Sequence, residues 1–106
     1  MRTYISGKIS GIDYDLAVKL FESAEKEVEL LGLTPINPIK ISPYNPKWKW
    51  EDYMEKDIAE LLRCDAIYML DNWETSRGAR CELALAKELG INIVYQQEVF
   101  TKKVNQ

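Results

Sequence analysis

The chain has no histidine, only two cysteines, no excess of basic charge and no apolar run long enough to cross a bilayer. Without histidine there is no Ser-His-Asp or Cys-His nucleophilic site. Nearly every zinc site is excluded too, because Cys64 and Cys81 alone do not close a tetrahedral set. Any chemistry falls to carboxylates, tyrosines, lysines and backbone, and neither a metal nor another cofactor is expected. Both thiols are expected to be reduced and at least half-buried, since cytosolic disulfides are rare. Fourteen Lys and Arg against seventeen Asp and Glu leave a net charge of −3. That balance makes no electrostatic case for a nucleic-acid or membrane surface. The opening "MRTYISGK" lacks a signal-peptide apolar region, so a cytoplasmic location is expected. The 106 residues, 46% hydrophobic and 29% charged, predict one soluble domain over 1–106 with one core.

What is present alternates apolar strands with amphipathic helices. "RTYIS" reads as a strand that breaks at Gly7. From Asp13 to Leu31 the residues Ala17, Leu20, Phe21, Ala24, Val28 and Leu31 keep helical spacing, and Gly32 ends the run. "LTPIN" is a short strand whose proline suits an edge. "PIKISPYNPKWKW" carries three prolines and predicts a long surface loop. A second helix runs from about Trp50 to Arg63, with Met54, Ile58, Leu61 and Leu62 inward. "AIYML" is a strand buried on both faces. "DNWETS" is a loop, "SRGARCELALAKELG" a third helix, and "INIVY" a last strand. This rhythm predicts an α/β domain of Rossmann-like (flavodoxin-like) type, with a parallel sheet of four to five strands and flanking helices. Such sheets bind ligands beyond the carboxyl ends of their strands. Those ends are Ser6 to Gly11, the segment from Asn37, Asp71 to Ser76, and the tail after Tyr95.

One residue breaks the pattern. On a helical wheel Ala79, Leu83, Leu85, Ala86 and Leu89 share an arc, and Glu82 falls inside it. With Ser76 as N-cap, Glu82 lies six residues on, too deep for a capping box. A buried carboxylate costs several kcal/mol unless paired, so the choice is an ion pair with Lys8 or Arg77, or a functional role. Asp57 borders the core on the face of Trp50, Tyr53, Met54 and Leu61. Its alternative reading is an edge carboxylate bonded to Arg or Tyr. Asp71 follows the buried strand, where a plain capping aspartate is also common. "SGKISG", with Ser6, Gly7, Lys8, Ser10 and Gly11, is a turn whose N–H groups suit an anion, or an ordinary strand-to-helix turn. Trp48, Trp50 and Trp73 lie in or beside loops on that side, where aromatic surfaces suit a flat heterocycle.

Three stretches, "TYISGKISG", "YMEKDIAELLRCDAIYML" and "SRGARCELALAKELG", resemble the nucleoside 2-deoxyribosyltransferase superfamily. The likeness is to its small DUF4406-type branch, and also to the deoxynucleoside 5′-monophosphate N-glycosidases. It runs from Tyr4 to about Tyr95, in order. The resemblance implies that Glu82 is a nucleophile attacking the anomeric carbon. It places Asp57 near sugar or base, makes Asp71 an acid assisting the leaving base, and sets Tyr4 against the nucleophile. It implies a phosphate contact for Ser76, six residues before the glutamate, with Arg77 and Gly78 beside it. Trp48 and Trp73 are the expected base-stacking surfaces. Two positions depart from the pattern: Ser10 stands where the monophosphate hydrolases carry arginine, and Ala84 where a glycine is usual.

The expected function is therefore cleavage or transfer at the N-glycosidic bond of a deoxynucleoside or its 5′-monophosphate, with a homodimer or larger homo-oligomer as the assembly. The alternative is a non-catalytic nucleotide or nucleotide-sugar sensor of the same fold, toward which Ser10 and Ala84 lean.

Overall fold

In the computed structural model, which describes residues 1–101, four strands form one parallel sheet in the order β2-β1-β3-β4. β1 is Arg2–Ser6, β2 Thr34–Ile36, β3 Ala66–Met69 and β4 Asn92–Tyr95. β1 pairs with β2 through Tyr4↔Ile36 and with β3 through Tyr4↔Ile67 and Ser6↔Met69. β2 is an edge, and there Pro35 removes no ladder bond that the sheet needs. The chain reverses its winding between β1 and β3, which places a crevice at the carboxyl ends of those two strands.

The helices are α1 (Tyr14–Leu30), α2 (Pro38–Ile41), α3 (Trp50–Leu61) and α4 (Arg77–Leu89). α1 starts where the Asp13 carboxylate accepts from the Leu16 N–H at 3.1 Å. It stops before Gly32, whose φ of +79° the following turn requires. α1 covers one face of the sheet, with Ala17, Phe21, Ala24 and Val28 packed on Ile5, Tyr68 and Leu70. α3 and α4 cover the other face, with Leu61, Ala79, Leu83 and Ala86 packed on Tyr4, Ile67 and Met69. The single core expected from length is thus two apolar layers divided by the sheet. β3 is buried along its whole length, because helices lie on both sides of it.

Several expectations change. The buried stripes are narrower than the periodicity suggests: Leu20, Leu31, Leu62 and Leu89 are exposed. A helix on a short sheet buries only about one residue per turn, and those four lie off that line or in a last turn. The proline-rich segment is not all loop. It opens with α2, where Pro38 takes a first-turn position and the Asn37 side chain accepts from the Ile39 N–H at 3.0 Å. "DNWETS" contains a 3₁₀ turn, Trp73–Thr75, and a π-helical turn, Gln97–Thr101, follows β4. Cys64 is buried as a free thiol, whereas Cys81 is exposed. Residues 102–106 of the C-terminal tail lie outside the described residues.

Candidate active site

Glu82 sits in the second turn of α4, and its helix is set by Ser76. The Ser76 hydroxyl accepts from the Ala79 N–H at 3.1 Å and caps the helix. The buried positions Ala79, Glu82, Leu83 and Ala86 then face the sheet. Glu82 is only 4% exposed. Neither expected cation reaches it. The Lys8 ammonium donates to Thr75 Oγ1 at 3.2 Å, and the Arg77 guanidinium lies 3.9 Å over the Trp50 ring. Arg2–Glu60 and Lys40–Glu25 are ion pairs among the described residues, and neither involves Glu82.

Hydroxyls hold Glu82 instead. Tyr4 and Ser6 are two apart on β1, so both point to the α4 face. The Tyr4 phenol donates to Glu82 Oε2 at 2.8 Å and the Ser6 hydroxyl to Oε1 at 2.6 Å. Burial, and then the charge of Glu82, push the Tyr4 pKa well up, so the phenol stays a donor. Burial also raises the Glu82 carboxyl to about 7, against the pull of the two hydroxyls. Asp57 takes the middle place in the buried stripe of α3, between Met54 and Leu61. Burial, and next the Glu82 charge, raise Asp57 to about 7 as well. Its Oδ1 is buried without a hydrogen-bond partner. Burial of the two carboxyls together favours keeping a proton on one of them over ionising both.

Both carboxyls line a cavity of about 640 Å³ at the carboxyl end of β1. The turn after β1 contributes Gly7, Lys8, Ser10 and Gly11, and the start of α4 contributes Ser76, Arg77 and Gly78. The Lys8 N–H donates to Asn72 Oδ1 at 2.9 Å, tying the turn after β1 to the turn after β3. Trp48 and Trp50 line the wall near α3, where Trp48 meets Tyr53 edge-on at 5.1 Å between centroids. The Tyr53 hydroxyl donates to the Asn45 carbonyl at 2.9 Å and accepts from its N–H at 2.7 Å, which anchors that segment.

Not every expected residue comes to this cavity. Asp71 and Trp73 line a separate cavity of about 200 Å³ with Tyr95. The 3₁₀ turn aims Trp73 at β4, where its ring lies 6.1 Å from that of Tyr95. The Asp71 N–H donates to Gln96 Oε1 at 2.9 Å. Gln96 in turn donates to Glu27, the same carboxylate that accepts from Tyr68. Ser6, expected in the anion-binding turn, spends its hydroxyl on Glu82. Strand alternation in "TYIS" is the signal that would have paired it with Tyr4. Trp50, Tyr53, Ser42 and Asn45 also line the cavity, and no local motif marks the last two. Among the described residues no cluster of His, Cys, Asp or Glu is suited to a metal ion. No helix among them is long and apolar enough to cross a membrane.

The architecture has a solved counterpart. The 2-deoxyribosyltransferase of the psychrotolerant bacterium Bacillus psychrosaccharolyticus matches with a TM-score of 0.68 at 19% sequence identity, covering 90% of this chain and 71% of that one. At that identity the likeness establishes a nucleoside 2-deoxyribosyltransferase-like fold. No curated protein sequence matches the chain. The model of one family, described as a domain of unknown function (DUF4406), matches residues 1–95, and the chain belongs to that family.

Proposed function

We propose that this protein breaks or exchanges the N-glycosidic bond of a deoxynucleoside, or of its 5′-monophosphate, with Glu82 as nucleophile. The observation that carries this reading is Glu82 itself. It is a buried carboxylate with no cation paired to it among the described residues, gripped by two hydroxyls, on the wall of a ligand-sized cavity. A structural carboxylate at that depth would need a counter-charge or a permanent proton. A carboxylate kept for a sugar does not, because the positive charge arrives with the oxocarbenium-like transition state.

In this reading the Glu82 carboxylate attacks C1′ as the C1′–N bond breaks, giving a deoxyribosyl ester. Tyr4 and Ser6 fix both carboxylate oxygens and so orient the attack. Asp57 hands its proton to the departing base, a role supported by its lining the same cavity as Glu82, whereas Asp71 lines the other one. Water or the nitrogen of a second base then attacks C1′, loses its proton to the Asp57 carboxylate, and releases Glu82. The start of α4, with the Ser76 hydroxyl and the Arg77 and Lys8 charges, is the end suited to a 5′-phosphate.

The test is incubation with the four deoxynucleosides and their 5′-monophosphates, read by chromatography for free base and by intact mass for a deoxyribosyl adduct. Base release from at least one substrate, with the adduct on Glu82, is expected. Tight binding with neither product nor adduct would move the reading to a sensor, and no binding at all would overturn it.

A further inference from the structure

Among the described residues two buried side-chain polar atoms have no hydrogen-bond partner, Asp57 Oδ1 and Ser42 Oγ, and both residues line the same cavity. Asp57 has a part in the proposed chemistry. Ser42 has none so far. We propose that Ser42 is a specificity-determining residue that contacts the polar edge of the nucleobase; this rests on the N-glycosidic reading above.

Ser42 is 7% exposed and sits where α2 ends. Hydrogen bonds tie down its segment. The Ser42 N–H donates to the Pro38 carbonyl at 2.8 Å. α2 is held to α1 through Glu25, which accepts from Asn37 Nδ2 at 3.1 Å and Lys40 Nζ at 3.0 Å. The next residues are fixed as well, since the Tyr44 N–H donates to the Tyr14 hydroxyl at 3.2 Å. A buried hydroxyl without a partner weakens a fold, and alanine would remove that penalty with almost no change in volume. A hydroxyl on a cavity wall finds its partner in what the cavity binds.

The path of the cavity says which part of the ligand that is. Tyr4 and Ile5 point to opposite faces of the sheet, yet both line it. The cavity therefore passes over the end of β1, from the α4 face to the α1 face. Glu82, Asp57 and the start of α4 lie on the first face. Ile39 and Phe21 belong to the core of the second, and Ser42, which follows Ile39 at the end of α2, lines the cavity with them. With C1′ at Glu82 and the 5′ substituent toward Ser76, the base leaves the sugar on the side away from α4. Its far edge then reaches the part of the cavity lined by Phe21, Ile39 and Ser42, where the Ser42 hydroxyl supplies a hydrogen bond. A buried polar group without a partner of its own discriminates between ligands that satisfy it and ligands that do not.

The experiment measures calorimetric affinities of the four deoxynucleoside 5′-monophosphates in a Glu82→Gln background, which prevents turnover, with and without Ser42→Ala and Ser42→Cys. Sugar and phosphate are common to the four ligands, so the ratio of strongest to weakest affinity isolates the base. Loss of one hydrogen bond to the base predicts that this ratio falls about tenfold in Ser42→Ala, and by a similar factor in Ser42→Cys. The unliganded melting temperature should hold or rise, because an unpartnered hydroxyl has been removed. A ratio near one without the substitution, or a ratio that survives it, overturns the role of Ser42 and leaves the N-glycosidic reading standing. Absence of binding by all four, together with no base release from the unsubstituted protein, overturns both.

Discussion

Replacing Glu82 with glutamine separates a functional carboxylate from a structural one, because the two accounts differ in sign as well as size. Burial raises Glu82 from its ordinary 4.5 to about 7. At about 1.4 kcal/mol per pH unit, keeping this carboxylate ionised costs the fold on the order of 3 kcal/mol. Between those two values the native state holds a proton that the unfolded chain has released. Stability therefore falls as pH rises from about 4.5 to about 7, and levels off above. Asp57, also raised to about 7, adds a fall of the same sign. Glu82→Gln removes the Glu82 part, and it lowers the Asp57 part by removing the charge beside it. At pH 5, where Glu82 is already protonated, the amide fits the Tyr4 and Ser6 hydroxyls less well, at a cost of about 1 kcal/mol. At pH 8 the variant escapes the buried charge and should be about 2 kcal/mol more stable than the parent. Urea unfolding at pH 5 and pH 8 measures this crossing. Base release should meanwhile drop by roughly a thousandfold or more, as expected when a covalent nucleophile is lost. If Glu82 were half of a buried ion pair, the variant would lose about 3–5 kcal/mol at both pH values. That outcome, or base release at the parent rate, would refute the reasoning.

Ser76→Ala should reduce any preference for deoxynucleoside 5′-monophosphate over the bare nucleoside by roughly tenfold, given one charge-assisted hydrogen bond, and calorimetry with the two ligands reads it. It should also lower the melting temperature modestly, since the cap on Ala79 is worth about 1 kcal/mol. Gly7→Ala should destabilise by about 1–3 kcal/mol in thermal melts, because a Cβ there would lie 2.6 Å from Leu70 Cδ1 and 2.9 Å from Leu70 Cβ. Light scattering at tens of micromolar is expected to show a homodimer or larger closed oligomer, with monomer alone counting against it.

Local pattern carried much of the architecture. Short β-rich or apolar runs bounded by breakers marked all four strands, and period-3.6 spacing marked the three long helices. Their alternation implied a parallel sheet, and with it an expected ligand site somewhere beyond the carboxyl ends of its strands. The misplacement of Glu82 was legible for the same reason: a helical wheel needs only local spacing, and Ser76 as cap ruled out a capping box. The width of each buried stripe was not legible. Whether Leu20 or Leu62 is covered depends on how far the sheet extends beneath the helix, which spacing does not encode. Nor was the fate of Asp71 and Trp73, since one 3₁₀ turn aims that tryptophan at Tyr95 and away from Glu82. The partners of Glu82 lie 76 and 78 residues away in sequence. Tyr4 was expected there from the family resemblance alone, and only the packing of β1 against α4 named Ser6 over Lys8 and Arg77. Ser42 lies further still from any local signal. A serine at the end of a four-residue helix looks like loop polarity, and only tertiary packing shows its hydroxyl buried, unpartnered and on the wall that Glu82 shares. Periodicity records which side of an element meets the core. Which groups meet each other there is decided when separate elements close over the end of β1.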